Sequence, residues 1–420
     1  MKDGTHMNKN PIVLKTKNGH AVLHESGIYF INRNDDLEKC LQEISLRRRP
    51  ELPIEYTKRE RIAKIIIYLS TQCNLRCVYC YASAGENNSV VSIENAKTLI
   101  SYIADKADRI ILDFHGGGEP LLHFDIINEL HGFAKRTGKL YRTVLISNGT
   151  IHGENNYILN WIVKNVDVMA LSCDGYPEIQ NQQRPQSDFK ASSDLIESTI
   201  AFFNNNRYVY TIRSTITREA SEHLLDITKY FYSLGVKYLV YSPCYNYGRS
   251  DSSSLLPVPS VYGQQYMKSV EFAYKHGMRL TSTSFRYPGY HYCGALSGFN
   301  IALTTDNFIS SCYEVVSSQD SVSNIFIIGK VADGKVEFFN DKINDLAKFE
   351  LEIGNTPCNS CSYRLVCRGG CPVKKMRGSD KSLQNLCGIT RYLVPKMLNF
   401  LEEHPDAASS VLKNIEIDYR

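Results

Sequence analysis

Cys73, Cys77 and Cys80 stand directly after an apolar run at residues 62–69, and no other feature of this 420-residue chain restricts its fold as tightly. Thiolates at this spacing, at the end of a strand, can wrap a short loop around a metal group. In a cuboidal iron–sulfur cluster, three such ligands serve four irons and leave one iron open. A zinc site would recruit a fourth cysteine or histidine. On these three residues alone that alternative stays open.

The chain has 13 cysteines, too sparse for a disulfide-stapled miniprotein. No secretion-signal pattern opens the sequence, so the expected location is the reducing cytoplasm, where clustered cysteines mean metal or redox chemistry. Cys293 and Cys312 form a second group. The third is Cys358, Cys361, Cys367 and Cys371 in the order C-x2-C-x5-C-x3-C, followed by Cys387. Cys40, Cys173 and Cys244 stand apart and read as buried apolar fillers. The 48 basic and 44 acidic residues leave a net charge of only +4, with no long run of one sign. That argues against a dedicated nucleic-acid or membrane-surface binder. The longest nearly apolar stretch, around residues 65–69, is far short of a membrane span.

Residues 1–7 (MKDGTHM) read as an expression remnant, and 8–60 as an N-terminal segment. Alternating apolar and polar positions at 11–32 predict a strand pair, followed by a helix near 37–47. This segment is expected to be a lid or a reduced leader-binding element. From residue 61 a strand–loop–helix rhythm repeats six times. Its strands are predicted at 62–69, 109–114, 142–146, 166–171, 208–216 and 237–241. Helices are predicted at 93–106, 124–135, 156–164, 192–204 and 220–234, with a closing helix at 263–276. Six alternations predict an α/β fold, a partial (β/α)6 TIM-like barrel over 61–280, with its chemistry on the loops after the strands. The rhythm breaks after about residue 285. Residues 285–395 form a cysteine-rich segment of the kind that metal nucleates, and 396–420 a C-terminal helix and tail.

The stretch Cys73-Asn74-Leu75-Arg76-Cys77-Val78-Tyr79-Cys80 resembles the CxxxCxxC motif of the radical S-adenosylmethionine (SAM) enzymes, including the aromatic Tyr79 before the last cysteine. Gly117-Gly118-Glu119-Pro120 resembles the family's GGEP motif, which meets the SAM amino group. Ser147-Asn148-Gly149 is similar to its third-strand motif near the ribose. Ser172-Cys173-Asp174-Gly175 with Arg184 resembles the SxDG element, whose arginine pairs with the SAM carboxylate. Four such motifs in order after four successive strands leave chance little room. The resemblance implies a 4Fe–4S cluster on Cys73, Cys77 and Cys80. It chelates SAM and cleaves it, after one-electron reduction, to methionine and a 5′-deoxyadenosyl radical. A one-electron donor of the flavodoxin or ferredoxin type is implied as a partner.

The C-terminal cysteines resemble the SPASM pattern of radical SAM peptide (RiPP) maturases. By position, Cys293, Cys312 and Cys371 would hold one auxiliary iron–sulfur cluster, and Cys358, Cys361, Cys367 and Cys387 another. Asn307 stands where the family usually has Gly, and asparagine also tolerates the left-handed conformation. The sulfatase-maturing branch carries an acid directly after the cysteine matching Cys312; here Tyr313 follows, then Glu314. The resemblance implies an oxidoreductase-like maturase that installs a cross-link, or another radical change, in a ribosomally made precursor peptide. Alternatives are a formylglycine-generating sulfatase maturase, a small-molecule radical dehydrogenase or epimerase, and a zinc-stabilised non-catalytic binding protein. No catalytic residue is fixed by the sequence; Arg213 and Tyr313 are the weak candidates.

Overall fold

The computed structural model describes residues 11–47, 61–151, 156–249, 253–289, 294–296, 300–346, 357–378 and 380–412. Cys293 lies outside them, as do residues 1–10, 48–60 and 413–420.

The expected strand pair is a three-stranded antiparallel sheet, β1 (Ile12–Lys15), β2 (Gly19–His24) and β3 (Gly27–Asn32), backed by the helix Leu37–Ser45. It lies along the C-terminal helix. Thr16 Oγ1 donates to Glu402 at 2.6 Å, and Tyr287 donates its hydroxyl to Ser26 O at 2.8 Å.

The main sheet begins with β4 (Ile62–Ile67), β5 (Arg109–Phe114), β6 (Leu140–Ser147), β7 (Val168–Ser172), β8 (Tyr210–Ile216) and β9 (Tyr238–Pro243). Each pairs in parallel with the next, as the strand–helix rhythm predicts. Their outward side chains form one apolar core with the surrounding helices. Ile65, Ile67, Leu112, Phe114, Leu145, Leu171 and Ile212 all belong to it. Side chains alternate across a strand, so Lys64, Ile66, Asp113 and Arg213 take the opposite, concave face.

The sheet is wider than six strands. β10 (Arg279–Ser282) adds a parallel strand beside β9, and β11 (Asn300–Leu303) pairs in parallel with the far edge of β4. The sheet then continues antiparallel through β12 (Phe308–Ser310), β13 (Ile327–Ala332) and β14 (Lys335–Phe338). The single helix expected at 220–234 is two, Arg218–Glu222 and Leu224–Ser233, meeting at the non-helical His223.

The C-terminal helix, Asp380–Glu403, begins ten residues, a good two turns, before the start at Thr390 that the sequence pattern predicts. It lies against the helix Pro259–Lys275 at unusually close range. A Cβ on Gly263 would stand 2.1 Å from the Tyr392 ring, and one on Gly388 2.9 Å from Pro259. Ile389, Leu393, Val394, Met397 and Leu401 join the barrel's own core. The described residues of this helix thus share the barrel's core.

Candidate functional site

The loop carrying Cys73, Cys77 and Cys80 is held on three sides. Beneath it runs the glycine loop after β5, where Gly118 N donates to Ser70 O at 2.7 Å and Glu119 N to Gln72 O at 2.8 Å. A Cβ on Gly118 would stand 1.9 Å from Gln72 O, so only glycine allows this approach. Beside it residues 183–187 run antiparallel, with Arg76 N to Pro185 O at 2.8 Å and Val78 N to Gln183 O at 3.0 Å. Asn74 ties it to the loop after β6. Its Oδ1 accepts from Asn148 Nδ2 at 2.8 Å, and its Nδ2 donates to Thr150 Oγ1 at 2.9 Å.

Two buried carboxylates organise the loops behind the cysteines. Glu119, 4% exposed, accepts from Ser147 Oγ and Asn148 N, both at 2.7 Å, and from Leu121 N at 3.0 Å. Burial pushes its carboxyl up despite the three donors. Asp174 is fully buried and accepts from Arg184 Nε and from Thr215 N, each at 2.9 Å, and also from the Tyr79 hydroxyl. The Arg184 guanidinium lies 5.3 Å from the Tyr79 ring centroid. One N–H of Arg184 is therefore committed to Asp174, while Nη1 faces Cys77 Sγ at 3.7 Å. The loops thus gather Tyr79, Gly117, Gly118, Glu119, Ser147, Asn148, Asp174 and Arg184 around one thiol set.

All three thiols receive an N–H, from Leu75 N to Cys73 at 3.4 Å, Arg184 Nη1 to Cys77, and Ala84 N to Cys80 at 3.4 Å. Burial pushes Cys73 up to about 12 and Cys77 up to about 11, so a bound metal group is what would ionise them. Among the described residues no three His, Cys, Asp or Glu side chains converge on a single ion position. Three thiols on one loop, each with its own N–H donor, suit the ligand set of a polynuclear cluster with one open corner.

Among the remaining described cysteines, Cys358, Cys361, Cys367 and Cys387 form one neighbourhood. Cys387 lies within electrostatic reach of Cys358 and Cys361, and Cys367 of Cys358 and Cys387; Lys375 Nζ stands 3.9 Å from Cys358 Sγ. Tyr68 donates its hydroxyl to Cys312 O at 3.1 Å, and Cys371 is the residue preceding the helix Pro372–Arg377. Asn307 has φ +66°, the left-handed conformation its side chain tolerates. Cys173 and Cys244 are buried, while Cys40 is half-buried against the small N-terminal core.

Several residues of the site carry no motif. On the concave face Lys64 pairs with the fully buried Asp113 at 2.7 Å and donates to the Tyr313 hydroxyl at 3.4 Å. That hydroxyl donates to Asn300 Oδ1 at 2.9 Å, and the His115 ring lies 5.6 Å from the Tyr313 ring. Burial pushes His115 down to about 4, with Arg213 pushing the same way. Tyr313 and Arg213 therefore both border one polar patch inside the barrel. A lysine within Ile-Ala-Lys-Ile-Ile-Ile and an aspartate within Arg-Ile-Ile-Leu-Asp-Phe are the signals that point to it.

Residues 67–237 match the family model of the radical SAM superfamily. The chain is 23% identical over 363 residues to the cysteine-type anaerobic sulfatase-maturating enzyme of Clostridium perfringens, covering 79% of this chain and 95% of that protein. It is 21% identical over 372 residues to the serine-type enzyme of Klebsiella aerogenes, covering 82% of this chain and 88% of that one. In fold it is similar to native anSMEcpe with bound AdoMet and a peptide, with a TM-score of 0.65 and 19% identity over 81% of this chain and 99% of that one. It is also similar to Streptococcus suis SuiB bound to its precursor peptide SuiA, with a TM-score of 0.54 and 12% identity over 89% of this chain and 97% of that one. Among the described residues no helix is long and apolar enough to cross a membrane. The family implies SAM and a 4Fe–4S cluster, and the thiol set after β4 fits the latter: residues 67–237 of this chain form a radical SAM domain, in a chain that shares its fold with anSMEcpe and SuiB.

Proposed function

We propose that the chain is a radical SAM/SPASM maturase acting on a ribosomally synthesised peptide, in which it installs a cross-link or another radical-initiated change. The observation that carries this reading is the pair of thiol neighbourhoods, one after β4 and one around Cys358 and Cys387, in a fold shared with proteins solved with bound peptides. Cys73, Cys77 and Cys80 would hold the first cluster. Cys293, Cys312 and Cys371, then Cys358, Cys361, Cys367 and Cys387, would hold two auxiliary ones in the segment 285–395. When bound, the first cluster and SAM supply a radical that takes a hydrogen atom from the substrate.

The chain's own residues do the orienting. Glu119 fixes the Ser147–Asn148 turn through two 2.7 Å hydrogen bonds, shaping the wall expected to meet SAM. Asp174 aims Arg184, which would face the SAM carboxylate with the donors that Asp174 leaves over. The Lys64–Asp113 pair, His115, Arg213 and Tyr313 would border the substrate on the concave face. Residues 8–60 would serve as a lid or leader-binding element. A cytoplasmic setting with a flavodoxin- or ferredoxin-type donor fits the unprotected thiols.

Formylglycine formation is the second reading, favoured by relatives named as sulfatase-maturating enzymes over most of the chain. Against it, Tyr313 stands where that branch carries an acid. Glu314 is turned to the Tyr247 hydroxyl at 2.5 Å and Lys374 at 3.5 Å. The test is anaerobic turnover with SAM and reductant. One arm uses short peptides encoded beside the gene, the other a sulfatase-type Cys peptide. A neighbouring peptide that loses hydrogen mass without gaining an aldehyde supports the proposal. A hydrazide-reactive aldehyde on the sulfatase peptide alone overturns it in favour of the second reading.

A further inference from the structure

The segment after β9 joins the two cysteine regions. Its first half faces the C-terminal region. The Lys374 ammonium lies 4.1 Å from the Tyr245 ring centroid, Asn246 N donates to Ser382 Oγ at 3.2 Å, and Tyr247 donates to Glu314 Oε2 at 2.5 Å. Lys374 belongs to the helix that starts immediately after Cys371, and Ser382 to the helix that carries Cys387.

The second half closes on the first cysteine loop. Gly248 has φ +70°, and a Cβ there would stand 2.5 Å from Cys80 O and 2.6 Å from Tyr81 Cα. Arg249 N donates to Cys80 O at 2.9 Å. The Arg249 guanidinium then spans two carbonyls, with Nη1 to Cys77 O at 2.9 Å and Nη2 to Ala84 O at 2.8 Å. Glu86 lies 3.3 Å from Nη2, and the side chain is only 21% exposed.

We propose that residues 244–249 are a strap tying the Cys73–Cys80 loop to the C-terminal cysteine region, with Arg249 the positioning residue for the first cluster. The proposal rests on the radical SAM reading of that loop. A guanidinium fork holds the two carbonyls from two separate nitrogens in a fixed plane, a geometry that a lysine's single ammonium does not reproduce. Its charge stands beside Cys77, so it favours the cluster's reduced, more negative form. Groups around the ligands set both metal retention and potential, and their loss typically costs about 10- to 100-fold in metal affinity.

The test uses the anaerobically reconstituted full-length protein with Arg249→Met and Arg249→Lys beside the parent. Two quantities are read. One is the midpoint potential of the cluster whose electron paramagnetic resonance signal changes on adding SAM. The other is the rate at which a ferrous chelator strips that cluster. Arg249→Met moves the potential negative and speeds stripping about 10- to 100-fold. Arg249→Lys restores the potential by its charge while still losing iron faster than the parent. If Arg249→Met does not fold, Arg249→Lys carries the test through its stripping rate. Parental potential and stripping rate in the folded Met variant, or a parental stripping rate in the Lys variant, overturn the strap. A parent without any SAM-sensitive signal overturns the radical SAM reading of the loop instead, and the strap with it.

Discussion

Gly118→Ala is the sharpest test of how the glycine loop holds the first cysteine loop. The added Cβ would meet Gln72 O at 1.9 Å, Gln72 C at 2.7 Å and Ser70 O at 2.8 Å, all backbone atoms with no rotamer to escape into. Relieving the collision means parting the two loops, and so losing Gly118 N–Ser70 O and Glu119 N–Gln72 O. Each such hydrogen bond contributes about 1 kcal/mol, and overpacking adds about 1–3 kcal/mol. The expected destabilisation is therefore about 3–5 kcal/mol, with loss of SAM binding because Glu119 moves with the loop. Gly277→Ala is the control. Gly277 has φ +67° but nothing within 4 Å of a Cβ, so only backbone strain of about 1–2 kcal/mol applies. Urea unfolding of the purified protein gives the stability differences, and equilibrium dialysis of labelled SAM on the reconstituted protein gives the binding. Parental stability together with parental SAM affinity in Gly118→Ala would refute the reasoning.

Arg184→Met leaves the buried Asp174 without its guanidinium. It should cost about 3–5 kcal/mol in urea unfolding, and Arg184→Lys should not restore SAM binding. His115 is held down to about 4 by burial, below its ordinary value near 6.5. The unfolded chain therefore takes up that proton first, and the stability held above pH 6.5 is lost as pH falls towards 4. A His115→Gln variant should show a flatter urea-midpoint profile across that window, and an unchanged profile would count against a neutral buried ring. Lys375→Gln removes the ammonium 3.9 Å from Cys358 Sγ. The auxiliary cluster proposed on Cys358, Cys361, Cys367 and Cys387 should then be harder to reduce, read as a more negative midpoint in a redox titration of the reconstituted protein.

The parts of the fold legible in the sequence are those with local causes. The strand Arg109–Phe114 carries five buried residues in six and is flanked by loop signals, so its bounds were readable from the pattern. The left-handed Asn307 follows from one residue's conformational tolerance. What escapes is set by distant partners. β10 reads Arg-Leu-Thr-Ser, without an apolar run, and is a strand because β9 offers an edge. β11 pairs with β4 across more than 230 residues of chain, which no local pattern records. The break at His223 divides an otherwise continuous helical periodicity.

The site divides along the same line. The cysteine spacings and loop motifs name the residues that surround the first thiol set. They do not reveal that Asp174 already occupies one N–H of Arg184, nor that Arg249 reaches Cys77 O from 172 positions away. Lys64 and Asp113 were visible as charges inside apolar strands. Only the register of β4 against β5, and the return of β11 beside β4, brings them to Tyr313 and Asn300.

The most direct test of the central claim is the iron and acid-labile sulfide content of anaerobically reconstituted protein, beside a Cys73→Ala/Cys77→Ala/Cys80→Ala variant. Three 4Fe–4S clusters predict about twelve irons and matching sulfide in the parent, and about eight in the variant. Zinc with little sulfide in the parent, or equal iron in both proteins, would contradict a SAM-cleaving cluster on the loop after β4.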